Sequence, residues 1–166
     1  MSDQPFSLDL LYQTIEQHLQ QSLAGIQMVS FWPDIQQHIP LPAVFLDIAE
    51  IEPGTDIGTG ESTLNVTFEA RVIVDVIRDQ HYQQAIHLAT QLAVLLRAQT
   101  WGLEVEPAEF VRSTQDWTRP ELDGYTVWLV EWTQTIYLGE KEWPWPDEKP
   151  GSLVFNVGDE SSQVAS

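Results

Sequence analysis

At 166 residues, 43% hydrophobic and 19% charged, the chain is long enough for one domain with a real core and too apolar for a disordered one. Twenty-five acids against seven bases give a formal net charge of −18, which argues against a nucleic-acid binder that neutralises phosphates and against docking on anionic membranes. With no cysteine, disulfides, zinc–thiolate sites and thiol catalysis are excluded.

The opening MSDQPFSLDLLYQTIEQHL has an early acid and no basic region, so no secretory signal is expected. No apolar run approaches the roughly 20 residues that span a bilayer. A soluble product of a reducing cytoplasm is the expectation. The first helix is predicted to start near Ser7, an N-cap with Asp9 in the first turn. Leu8, Leu11, Ile15, Leu19 and Leu23 form its apolar stripe, and Gly25 is a natural terminator. The following IQMVSFWPDIQQHIPLP is bounded by prolines and reads as an irregular connection with room for one short strand.

Pro42 to Ile51 is predicted as a strand with apolar residues on both faces, hence central in a sheet. A polar loop, EPGTDIGTGEST, leads into a second strand over Ser62 to Val76. There Leu64, Val66, Phe68, Ala70, Val72, Val74 and Val76 share one face, and Asn65, Thr67, Glu69, Arg71 and Asp75 make the other a wet side. A helix over Gln80 to Gln99 follows, then a strand from Leu103 to Trp117, a turn at RPELDGY, and a last strand, YTVWLVEWTQTIYL, ending before Gly139. The order α-β-β-α-β-β predicts an α+β domain over 1–139: two helices on one face of a small, mainly antiparallel, mixed sheet. The central strand–helix–strand unit is expected to supply a parallel pair. Residues 140–166, rich in proline and acids, form a C-terminal extension with a short strand signal at Ser152 to Val157 and a solvated end.

Little in the chain resembles a reaction centre. His81 and His87 fall on different helix faces, Asp34 and His38 lack a third ligand, and no HExxH motif occurs. GTDIGTG has neither the lysine nor the strand–turn–helix setting of a phosphate cradle. No catalytic residue, cofactor or metal is assigned. Glu50 with Glu52, and Glu104 with Glu106, share strand faces at strand margins, where an acidic rim that weakly gathers divalent cations is the reading. Trp128 and Trp132 share one face of the last strand and read as core, with an interface as the alternative. Trp143 and Trp145, in EWPWPD, lie among prolines beyond the last strand. They either fold back over the domain or anchor a partner.

The opening helix, the strand LPAVFLDIAEIEPG, the long strand STLNVTFEARVIVDV with its helix, and the closing FVRSTQDWTRPELDGYTVWLVEWTQTIYLG together resemble the tail terminator proteins of long-tailed bacteriophages and prophages. The resemblance covers roughly residues 7 to 139 and is one of element order and length. The extension from Glu140 has no counterpart in it. It implies a non-catalytic structural subunit, often a homo-hexameric ring, that caps the tail tube, stops its elongation and offers a surface to the head connector or completion protein. DNA would pass through the lumen without specific binding. The location would be the virion tail, after assembly in the host bacterial cytoplasm. A head–tail joining or minor tail protein is the alternative within the same biology. An adaptor presenting Trp143 and Trp145 is the alternative outside it. On this reading the polar loop is an assembly element, with contacts expected at Asp56, Ile57 and Thr59 and on the rim at Glu50 and Glu52.

Overall fold

The computed structural model describes residues 5–35 and 38–140. In chain order the elements are α1 (Leu8–Ser22), β1 (Met28–Phe31), β2 (Ala43–Pro53), β3 (Ser62–Asp75), α2 (His81–Leu95), β4 (Glu109–Gln115), a 3-10 turn at Pro120–Leu122, and β5 (Tyr125–Leu138). The fold is α+β, with a five-stranded mixed sheet in the order β1-β2-β3-β5-β4.

Helix α1 begins where the sequence places it. Ser7 is extended, and its hydroxyl accepts from the Leu10 amide at 3.1 Å. Leu11, Ile15 and Leu19 are fully buried, and Gly25, at φ +81°, takes the chain into β1. The stripe meets the sheet face formed by Val44 and Leu46 of β2 and Val66, Phe68, Ala70 and Val72 of β3. Helix α2 covers the same face farther along, beneath β3, β5 and β4. It is shorter than predicted, ending at Leu95: the Arg97 amide bonds to the Val94 carbonyl at 3.2 Å, three residues back, and Ala98 takes φ +53°.

Strands β3 and β5 pair over their whole length, from Ser62 opposite Leu138 to Asp75 opposite Tyr125. At ~3.4 Å per residue this makes a ribbon about 45 Å long. Beneath it Phe68 stacks on Trp132 at 5.1 Å, with Trp101 at 6.2 Å. Burying Trp132 completely contributes on the order of 5 kcal/mol, from ~200 Å² at ~25 cal/mol/Å².

Three expectations are corrected. The parallel pair is β1 with β2, Met28 opposite Ala43. The strands flanking α2 do run in the same direction, but β5 lies between them. The strand predicted from Leu103 is confined to Glu109–Gln115: Val105 closes a tight turn onto the Leu103 carbonyl, Pro107 has no amide, and Val105 and Ala108 enter the core from this turn. Nor is the second face of β3 wet throughout. Arg71 is 6% exposed and Ile73 fully buried, because Ile39, Phe45, Leu122 and Val127 build a second, smaller cluster over that end. Among the described residues no helix is long and apolar enough to cross a membrane.

Candidate functional site

Both helices cover one face, so the opposite face is available beyond the small cluster, and its make-up follows from the register. Next to the cluster lies a belt of ion pairs. Arg71 Nε donates to Asp116 Oδ2 at 2.7 Å and its Nη2 to Glu69 Oε1 at 3.0 Å. Arg119 reaches Asp47 Oδ2 at 2.7 Å, and Arg112 reaches Glu131 Oε1 at 3.0 Å. Burial opposes ionisation of Asp116, but hydrogen bonds from Thr118 and Arg71 outweigh it and hold the carboxyl below its ordinary range. Burial likewise opposes the Arg71 charge and is outweighed by Asp116 and Glu69, so its pKa is raised.

A hollow of about 230 Å³ opens between Trp32, Phe45, Arg71, Arg119 and Leu122. The Trp32 indole donates to Asp47 Oδ1 at 2.8 Å, and both guanidiniums are already held by carboxylates. The hollow therefore presents no unpaired positive charge to an anion.

Beyond the belt the face turns neutral, then acidic. A bulge between Ile48 and Glu50 sets Glu50 opposite Thr67 and Glu52 opposite Asn65. Across β5 the same rows continue as Thr133 and Thr135, with Glu109 of β4 opposite Thr133. Thr135 donates to Asn65 Oδ1 at 2.7 Å. Glu50 and Glu52 are exposed and share this face, as their spacing requires.

The 54–61 loop closes the acidic end. It is the connection of the β2–β3 hairpin, and its neck is tied by the Gly54 amide to the Thr63 carbonyl at 2.8 Å. Glycine is needed at 54 because a Cβ there would stand 2.6 Å from Thr63 Cγ2. Asp56 Oδ1 accepts from the Gly58 amide at 2.8 Å, and Thr59 Oγ1 donates to Glu61 Oε1 at 3.1 Å. Two of the expected contact residues thus shape the loop from within. The third, Ile57, is 50% exposed and lines two adjoining hollows of about 330 and 390 Å³, shared with Glu106 and Tyr137. The loop arches toward the 104–107 turn, so Glu104 and Glu106 join Glu61 around Ile57. The Tyr137 hydroxyl donates to Glu106 Oε2 at 2.7 Å, and that bond raises the tyrosine pKa.

One residue that holds this end together is not evident from motif reading. Gln134 is 2% exposed on the helix side of β5, between Trp132 and Ile136. Its Oε1 accepts from Trp101 Nε1 at 3.0 Å and Trp132 Nε1 at 3.3 Å. Its Nε2 donates to the Gln99 carbonyl at 3.0 Å and the Glu106 carbonyl at 2.7 Å. All four capacities of the amide are used, and the 99–106 turn is fixed to β5. The available signal is a polar residue in the apolar parity row Trp128, Val130, Trp132, Ile136.

Among the described residues no group of three His, Asp or Glu side chains is placed to hold a metal ion. His81 Nδ1 faces Thr126 Oγ1 at 2.6 Å and His18 faces the Gln99 amide at 3.3 Å, so each of these rings has a neutral partner. Trp143 and Trp145 lie outside the described residues. The arrangement offers a broad acidic surface and a hairpin tip shaped by its own side-chain hydrogen bonds. No protein-family model matches the chain, and no curated protein does.

Proposed function

We propose that this chain is a non-catalytic structural subunit of a phage or prophage tail, a terminator that forms a ring on the end of the tail tube. The observation that carries the reading is the asymmetry of the sheet. Both helices cover one face, while the other is left open and acidic toward a hairpin whose apolar tip, Ile57, is half exposed. A ring subunit needs such a division, a core on one side and recognition surfaces on the other. The hairpin end meets the tube or the neighbouring subunit, and Glu50 and Glu52 face the same way. Repulsion between acidic rims makes ring closure sensitive to divalent cations. An acidic lumen lets DNA pass without gripping it.

The test replaces Thr55–Ser62 by a two-residue Asn-Gly turn, which keeps Gly54 opposite Thr63 and the β2–β3 ladder in register. The variant folds as the parent does but no longer binds tail tubes in a pelleting assay. Tubes that are capped at normal length and join heads normally with this variant contradict the assignment of the hairpin.

A further inference from the structure

The two edges of the sheet are not equivalent. Strand β1 has four residues, and Glu16 of α1 reaches over it, its Oε2 accepting from the Phe31 amide at 2.8 Å. Strand β4 has seven residues and is bound on one side only, to β5. Among the described residues no other hydrogen bond reaches the backbone of 109–115. Its outer amides and carbonyls form an open template for a further strand.

The edge also has two chemically distinct sides. On the helix side stands Phe110, opposite Trp132, and beside it the flank of α2. Gln84, His87 and Gln91 line a hollow with Ala24 near the end of α1, so helical periodicity turns Tyr82 and Ile86 the other way, toward β4. Tyr82, Ile86, Phe110 and the bulged Val111 are all exposed. On the open side stand Glu109, Arg112 and Thr114.

We propose that residues Ser152 to Val157 of the same chain add to this edge as a sixth strand, parallel to β4. The sequence SLVFNV alternates Leu153, Phe155 and Val157 with Ser152, Val154 and Asn156. One side of it suits the apolar flank and the other the mainly polar face. It carries no charge, whereas a second copy would bring a −18 surface to an acidic neighbour. The reach is sufficient. Glu140 follows β5 seven residues beyond Thr133, the partner of Glu109, so the start of β4 is about 25 Å away. Residues 141–151 span up to about 36 Å. A tether of this length holds the segment near millimolar effective concentration, above that of any free competitor. The extension then guards the β4 edge, and this holds whether or not the subunit forms rings.

Hydrogen exchange on the full 166-residue chain, compared with Leu153→Asp and Phe155→Asp variants, tests this directly. The expected result is that the outward amides of 109–115 exchange at least about tenfold faster in the variants, with β3 and β5 unchanged as internal controls. Equal exchange in parent and variants overturns the proposal. Protection in the parent that disappears on dilution also overturns it, and assigns the edge to a second copy.

Discussion

Replacing Gln134 by leucine isolates what one buried amide contributes to the acidic end. The substitution conserves apolar volume but leaves two indole donors, on Trp101 and Trp132, without the acceptor they share at 3.0 and 3.3 Å. Both tryptophans are at most 5% exposed, so water cannot substitute without opening the core. The two carbonyls fare better: that of Gln99 still accepts from the Ala108 amide at 2.8 Å, and Glu106 is an exposed residue. At about 1–3 kcal/mol per buried donor left unsatisfied, the two donors make Gln134→Leu cost about 2–6 kcal/mol. Against a typical domain stability of about 5–15 kcal/mol, that is a large fraction. Urea unfolding followed by tryptophan fluorescence reads it as a lower midpoint with an unchanged slope. Faster hydrogen exchange in 99–108 should accompany it, since that turn is tied to β5 through the same amide. An unfolding free energy within about 0.5 kcal/mol of the parent's would show that the network is not a determinant of stability.

Three further outcomes follow from the same geometry. Arg71→Met leaves the nearly buried Asp116 carboxylate with Thr118 alone and costs about 3–5 kcal/mol at pH 7. Because the folded pKa of Asp116 is depressed in the parent, its contribution is present above the ordinary carboxylate pKa and lost as pH falls through the folded value. The deficit of the variant therefore narrows on acidification, and a deficit independent of pH from 7 to 3 would refute this. Gly54→Ala forces a Cβ to 2.6 Å from Thr63 Cγ2 and destabilises by about 1–3 kcal/mol, whereas adding Thr63→Ala relieves that contact, leaves the 3.2 Å approach to Asn65 Oδ1, and recovers part of the lost melting temperature. Ser7→Ala removes the α1 cap and costs about 1 kcal/mol in a urea titration.

How far the sequence carries depends on whether a signal is local. Ser7, Asp9 and the Leu11–Ile15–Leu19 stripe determine α1 almost to the residue, because caps and helical periodicity act within a few positions. The alternation of β5 from Tyr125 to Leu138 is similarly plain. Strand β1 is not, since Met28–Phe31 is too short to show a period and acquires its role by pairing with Ala43–Leu46. The insertion of β5 between the strands flanking α2 has no local signature either. At the candidate site the bulge between Ile48 and Glu50 hides which face the two glutamates take, and only the sharing of one face by Glu50 and Glu52 was readable from spacing. The approach of the 104–107 turn to Ile57 was not, because it depends on Gln134 joining positions 28 and 35 residues away. Arg71 reads as part of a wet face for the same reason: its partner, Asp116, lies 45 residues along the chain.

Electron microscopy of the purified full chain at high concentration, in negative stain with and without magnesium, and with tail tubes supplied as template, bears most directly on the proposed role. The account predicts closed rings with a central hole, more abundant with magnesium, seated on tube ends when tubes are present. Monomers alone under all these conditions, with bare tube ends, would contradict it.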